Sequence, residues 1–439
     1  MKSSVGGIKG LFRSALEVLA GRAAVAIASL LFLAYFAREM PKELFGLMAL
    51  HAALAAASAV ILNLGLHYAV IKKAAPAFAR DRCADAVNEI IGPASVIRLA
   101  ATIVFVTLFL VLAVSYPPGI AGVNMWLAIP CIAIHLLFKN CQHILTPVFH
   151  ARQQYLQSSF MDSASALAEK VGAFSLYSML GFDYFFAGFM LGQSVVTVAS
   201  FCMLFPVLRQ GKPGLWNWRA ARPWSYRVQY IRVLSRDGFQ QLDRLLVGAI
   251  FPLAELGYYH LARQLAATLK VLIRAMADPL TVRLAYALTS AQLYRDRYRY
   301  LLIGVALPLA MAASSPAIIV TVGGESFAPA TMLLSLMALS YLFYAPSEYH
   351  LAVLNIRGHQ NMPVKFEIFA ALTGIIVTLV MANAVGLEGV PFGQFTAFCL
   401  MWLGGRTLAK NILTDTPAHR PSAGLSMDPD AATEGRPAS

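Results

Sequence analysis

Long apolar runs alternate with short polar breaks over almost the whole chain. Six runs lie near 12–37, 45–70, 91–115, 120–148, 158–181 and 184–208, and six more near 232–252, 255–282, 298–322, 327–354, 364–385 and 387–410. Each is long enough to cross a bilayer core, which takes about 20 mostly apolar residues per helix. The pattern predicts an all-α integral membrane protein of about twelve spanning helices. A basic, Trp-containing segment divides them into a six-helix unit at 1–208, a connector at 209–231 and a second six-helix unit at 232–411. The remainder, 412–439, is rich in Pro, Ser, Ala and Asp, a composition too polar to pack a core, and is expected to be a disordered tail.

Composition removes the soluble alternatives. Of 439 residues, 58% are hydrophobic and 13% charged, and the mean hydropathy is +0.63. Soluble domains carry roughly 25% charged residues and about 45–50% apolar ones, so a soluble enzyme is excluded. The first run follows Lys2, Lys9 and Arg13 in the manner of a signal peptide, but it continues through Tyr35 and more spans follow, so it reads as a retained helix. Cys83, Cys131, Cys141, Cys202 and Cys399 are far apart and mostly within apolar segments, as buried small hydrophobes are.

Thirty-five Lys and Arg against 22 Asp and Glu leave a net charge of +13. In a soluble chain that excess would suggest nucleic acid; here loop topology accounts for it and no nucleic-acid partner is expected. One set of loops holds Lys72, Lys73, Arg80, Arg82, Arg152, Arg209, Lys212, Arg219, Arg222, Arg227, Arg295, Arg297, Arg299, Arg357 and Lys365. In the opposite set Arg38 and Lys42 are offset by Glu39 and Glu43, and otherwise only Asp183, Glu255, Glu325 and Glu388 occur. Positively charged short loops stay in the cytoplasm, which places both termini there. The far-side loops, such as 115–119 and 180–183, are too short to hold a catalytic centre. The connector, with Trp216, Trp218 and Trp224, is expected to lie along the headgroup interface.

A faint internal repeat relates the two halves. Residues 46–56 align without gaps onto 257–267, matching Gly46 to Gly257 together with two Leu and two Ala, and Gly192-Gln193 corresponds to Gly393-Gln394 in the last helix of each half. Halves of the same orientation would be related by an axis along the membrane normal.

Charges inside the spans carry the functional information, because each costs about 2.5–3.5 kcal/mol at the bilayer centre. In the eighth span Arg263, Lys270 and Arg274 follow each other by seven and four residues, so they share one face. Facing lipid, they would cost roughly 8–10 kcal/mol together; they must line water or meet anions. In the seventh span Asp237, Gln240, Gln241 and Arg244 form a polar stripe, with Asp237 and Arg244 as candidate partners, or a tie between helices. Weaker stripes join His135, Lys139, Gln142, His143 and Thr146 in the fourth span, and Asp162, Ser165 and Glu169 in the fifth, with Lys170 adjacent. Arg22 and Arg98, one to two turns inside the first and third spans, can snorkel or line a cavity. A mixed but cationic interior suits an anionic substrate. No P-loop, metal cluster or nucleophile motif is present, so no cofactor, metal or catalytic residue is expected.

Several motifs resemble those of a known family. The stretch from Leu242-Asp-Arg-Leu-Leu-Val-Gly to Leu256-Gly-Tyr-Tyr-His-Leu-Ala262 resembles the seventh-to-eighth-helix region of the Wzx-type oligosaccharide flippases, in the multidrug/oligosaccharidyl-lipid/polysaccharide exporter superfamily. Glu43-Leu-Phe-Gly46, Leu62-Asn-Leu-Gly-Leu66, Gly324-Glu-Ser-Phe-Ala-Pro-Ala330 and Asn355-Ile-Arg-Gly358 are similar to further family motifs, in the same order. The resemblance implies two six-helix lobes around a central cavity, in a bacterial inner membrane. It also implies a polyprenyl-diphosphate-linked oligosaccharide as substrate, coupling to an ion gradient, and a polysaccharide polymerase and export proteins as possible associates. On this reading Arg263, Lys270 and Arg274 neutralise the diphosphate. Lys139, Gln142, Gln240, Gln241, Arg244, Arg22 and Arg98 line the cavity, and Asp237, Glu169 or the motif residue Asp243 takes up the coupling ion. The alternatives are a multidrug antiporter of the same superfamily, whose cavity should be acidic, a membrane polymerase or ligase, which should need a larger external loop, and a non-transporting scaffold.

Overall fold

The computed structural model describes residues 25–115, 123–219, 227–286, 290–356 and 362–415. Arg22 and the side chains of Asp237 and Gln240 lie outside the described residues, as does the tail after 415. The helices are α1 (25–39), α2 (Lys42–Ile61), α3 (Leu66–Ala79), α4 (Cys83–Ser115), α5 (Met125–Ala151), α6 (Tyr155–Leu180) and α7 (Phe185–Leu208). In the second half come α8 (227–250), α9 (Leu253–Tyr286), α10 (Ser290–Gly323), α11 (Ala330–Ile356), α12 (Met362–Val385) and α13 (Pro391–Asp415). No strand occurs among the described residues.

Helices cover the described part of each predicted run to within a few residues, the second run being split between α2 and α3, and the fold is that of an all-α membrane protein. Seven helices among the described residues are long and apolar enough to cross a membrane on composition alone; α6 and α9 are interrupted by the charges that the sequence singles out. Leu108, Val111 and Leu112 of α4, and Leu372, Ile376 and Val380 of α12, stand exposed in rows. Such rows suit hydrocarbon and would be untenable in water.

Three boundaries differ from the sequence reading. The second run, expected as one span at 45–70, breaks at 62–65, where Leu64 and Gly65 take positive φ (50° and 75°). The Asn63 carboxamide then accepts the His67 N–H at 3.2 Å and starts α3. In α8 the segment Leu234–Gly238 is a π-helical turn. That turn widens the helix just ahead of Gln241 and Arg244. The last helix runs to Asp415, past the expected start of the tail.

The described part of the connector, 209–219, is docked on α4. Asn217 N–H donates to the Asn88 carbonyl at 2.9 Å, and Lys212 N–H to the Asn88 side chain at 2.7 Å, both at the π-helical turn Val87–Ile91 of α4. Trp216 lies against Gly92, where a Cβ would come within 2.6 Å of the indole, while Leu215 and Trp218 remain exposed.

The halves meet through α2, which packs on α5 in its own half and on α8 and α9 in the other. A Cβ on Gly46 would lie 1.8 Å from the Leu253 carbonyl oxygen, and one on Gly257 would lie 3.0 Å from the Lys42 carbonyl oxygen. These contacts are reciprocal under the repeat, since Lys42 corresponds to Leu253 as Gly46 does to Gly257, which places a pseudo-two-fold axis between α2 and α9. At this same end Lys42 sits over the Tyr258 ring at 5.3 Å, Phe45 meets Phe327 edge-on at 5.3 Å, and Arg38 donates to the Thr321 carbonyl. One apolar core, including Phe45, Leu256 and Phe327, crosses the halves here. Further apolar clusters form within each half, one around Ile90, Phe149 and Leu204 at the basic-loop end of the first and a smaller one around Phe239 and Ala397 in the second. Between the halves α8 stays along α2, with the Tyr230 hydroxyl donating to the Ile61 carbonyl at 2.9 Å.

Gly46→Val should drive α2 off α9 and destabilise the protein by about 1–3 kcal/mol or more. Gly214→Ala, where a Cβ meets nothing within 4 Å, should be silent. Thermal unfolding of the purified variants, followed by size-exclusion chromatography, measures both; equal stability of the two would overturn the tight α2–α9 contact.

Candidate functional site

Each half buries a polar node of similar plan, and the second half also buries Glu367, which lies 3.5 Å from Arg232 Nε. In the first half the node is built from residues four apart on three neighbouring helices: His135 and Lys139 on α5, Ser165 and Glu169 on α6, and Gln193 and Thr197 on α7. That spacing puts each pair on one helical face. Gly192 lets α7 approach α6, because a Cβ there would stand 2.1 Å from the Ala168 carbonyl oxygen. Lys139 Nζ is 2.6 Å from Glu169 Oε1, 3.5 Å from Ser165 Oγ and 3.4 Å from Gln193 Oε1. The Ser165 hydroxyl donates to Gln193 Oε1 at 2.6 Å, and the Gln193 amide donates to Thr197 at 2.8 Å. His135 Nε2 lies 3.4 Å from the same Glu169 oxygen, and His135 Nδ1 is 2.9 Å from His51 Nε2 on α2.

The second half repeats the plan with other side chains. Arg263 Nε on α9 is 3.1 Å from Asp243 Oδ2 on α8, and that oxygen also accepts the Tyr259 hydroxyl at 2.9 Å. Arg263 Nη1 donates to Gln394 Oε1 on α13 at 3.2 Å. Gly393 plays the part of Gly192: a Cβ there would lie 1.9 Å from Thr378 Oγ1 on α12. The Gly-Gln pairs seen as a sequence repeat are therefore equivalent in structure. Glycine closes two helices together, and the buried glutamine turns its carbonyl to a cation.

The sequence-predicted site residues divide accordingly. Of the three cations sharing a face of α9, Arg263 is buried and held by Asp243 and Gln394. Lys270 and Arg274 are half-buried, with Arg274 Nε donating to the Tyr344 hydroxyl at 2.9 Å. Arg98 is only 3% exposed and donates to the carbonyls of Ala59 and His143 at 3.3 and 3.2 Å, which replaces snorkelling with a tie between α4, α2 and α5. Arg244 donates to the Gln241 carboxamide within α8. Gln142 is buried, and neither end of its carboxamide has a hydrogen-bond partner among the described residues. Arg22, Asp237 and Gln240 fall outside the described side chains. An open cavity of about 430 Å³ lies at the basic-loop end of the first half, lined by His150, Tyr155, Ser158, Ser159, Asp162 and Ser163.

His51, Gln193, Tyr259, Tyr344 and Gln394 escaped the sequence reading as site residues. Gln193 and Gln394 were visible as repeat positions, whereas His51 sits alone in an Ala-rich helix with no spacing signal. No group of three or more His, Cys, Asp or Glu among the described residues could hold a metal ion. Among the described residues the fully buried charges balance, Arg98, Arg244 and Arg263 against Glu169, Asp243 and Glu367, while Lys139, Lys170, Arg232, Lys270 and Arg274 are half-buried.

No protein-family model and no curated protein matches the sequence. In shape the chain is similar to the lipid II flippase MurJ in an inward closed conformation, with a TM-score of 0.68 and 13% identity over 90% of this chain and 87% of that one. It is similar to a multidrug resistance transporter of the MATE family, in the MOP superfamily, in an inward-facing conformation, with a TM-score of 0.69 and 12% identity over 91% and 100% of the two chains. An outward-facing structure of the same description gives a TM-score of 0.55 at 13% identity, over 93% and 97%. At these identities the shared property is the fold.

Asp243→Asn or Arg263→Gln alone leaves a buried charge uncompensated and should cost about 3–5 kcal/mol. The double variant should recover part of that loss, as thermal unfolding in nanodiscs would reveal. Additive losses would mean that the two side chains do not act as a pair.

Proposed function

We propose that the protein turns a polyprenyl-diphosphate-linked oligosaccharide across a bacterial inner membrane by ion-coupled alternating access, both termini being cytoplasmic. The observation that carries this reading is the row of cations on one face of α9, buried Arg263 followed by half-buried Lys270 and Arg274, in a fold similar to that of known transporters. A diphosphate diester carries about two negative charges, and desolvating them needs charge-assisted hydrogen bonds from Arg or Lys.

Along α9 the rise of about 1.5 Å per residue sets Lys270 and Arg274 about 10 and 16 Å beyond Arg263, toward the basic-loop end. In this proposal those two half-buried cations meet the diphosphate, while Arg263, already held by Asp243 and Gln394, positions α9 against α8 and α13. The sugars find the unpartnered Gln142 carboxamide, Asn140, Gln241 and the hydroxyl-rich cavity beside Tyr155 and Asp162. The prenyl chain stays in lipid between the halves. Glu169 and Asp243 are the coupling candidates, because protonating either carboxylate would release a buried cation from its partner. A polymerase and export proteins would take over the flipped repeat units.

The MATE-type fold supports a multidrug antiporter as the second reading. Cationic drugs need an acidic interior, whereas the α9 face that carries Arg263, Lys270 and Arg274 is basic.

In a deletion strain of the source bacterium complemented by this gene, radiolabelled sugar should pass through lipid-linked repeat units into exported polymer. Lys270→Ala with Arg274→Ala should abolish the polymer and leave complete lipid-linked units inside sealed spheroplasts. Normal output from a well-expressed double variant would sink the proposal. Unpolymerised units reaching the outer leaflet without this gene would make it a downstream enzyme.

A further inference from the structure

We propose that the His51–His135 pair is a proton-binding site, and that loading it moves Glu169 from Lys139 to His135. The second half of the statement deepens the transport reading above, because it frees a cation for an anionic substrate; the proton site itself stands without it.

The two imidazoles are each 2% exposed, their centroids are 4.6 Å apart, and Phe186 and Phe189 wall them in at 5.3–5.8 Å. A contact of 2.9 Å between ring nitrogens needs one N–H and one lone pair. His51 Nε2–H donating to His135 Nδ1 puts the His135 proton on Nε2, toward Glu169. The opposite tautomer would aim a lone pair at the carboxylate. His51 Nδ1 is then bare. A proton arriving there lets the bridging proton pass from His51 Nε2 to His135 Nδ1, and His135 becomes the imidazolium facing Glu169 Oε1 at 3.4 Å. One proton enters, one hydrogen bond reverses, and the positive charge ends beside the carboxylate.

That carboxylate is now shared between two cations. Lys139 is the one able to leave, since its side chain is 22% exposed and it has Ser165 and Gln193 oxygens as alternative acceptors. The other groups facing the pair are few. Lys170 on α6 donates to the Ala166 carbonyl, and His143 on α5 offers its carbonyl to Arg98. On α8 and α9, which pack on α2, Asp243 and Arg263 are paired, Arg244 is bound to Gln241, and His260 lies against Phe45. The site also reaches the seam between the halves, for His51 is five residues from Gly46 on α2.

The test is histidine ¹⁵N NMR of the full-length protein in nanodiscs; with nine histidines in the chain, His→Gln variants assign the signals. His51 and His135 should take up one proton as a coupled pair. His51→Gln should weaken proton binding at His135 by about tenfold or more, and Lys139→Gln should strengthen it by a similar factor. Rings that stay neutral to about pH 5, or a His135 titration unmoved by His51→Gln, would overturn the proton site. A titration unmoved by Lys139→Gln would overturn the exchange of partners. None of these readouts requires substrate, so failure of the flippase reading in the export assay remains a separate result.

Discussion

A charge buried in a bilayer has no water to turn to, and both halves of this protein meet that constraint in one way. A cation on an inner helix is held by a carboxylate from a neighbouring helix and by the carbonyl of a glutamine from the last helix of the half: Lys139 with Glu169 and Gln193, Arg263 with Asp243 and Gln394. Each node ties three helices with directional bonds where apolar packing alone would allow sliding. Because the nodes are internal to a half, they fix each set of helices as a body and leave the contact between the bodies to other forces.

That contact is made by close backbone approach and aromatic rings. Gly46 and Gly257 admit the facing chain because they lack a Cβ, and the reciprocity of their neighbours is what a two-fold relation between the halves requires. Three independent features agree on that relation: the gapless alignment of 46–56 with 257–267, the crossed glycine contacts, and the matched Gly-Gln pairs at the nodes. A chance match in Ala- and Leu-rich sequence would reproduce the first without the other two.

The helices were legible because hydrocarbon demands runs of fixed length, and that demand leaves its mark on every span. The break after Leu62 and the π-helical turn in α8 were not, since both follow from local turns that an apolar periodicity averages over. Charged positions were legible, and their partners were not. Spacing within one helix shows that Arg263, Lys270 and Arg274 share a face, but Asp243 and Gln394 reach Arg263 from sequence distances that only the packed fold brings together. His51 shows the limit most clearly, for nothing in an Ala-rich helix marks it until α5 lays His135 against it.

The two kinds of contact differ in what it takes to break them, and that difference bears on how such a molecule can move. Separating a node strands a charge at a cost of about 3–5 kcal/mol. The contact at α2 and α9 rests on apolar and ring contacts, whose loss can be offset by new burial elsewhere between the halves. A rocking of one half against the other therefore keeps every node intact. A motion within a half does not. The charge network thus selects rigid-body exchange over internal rearrangement, and any ion that acts on a node acts by changing how firmly one body is held together while it turns against the other.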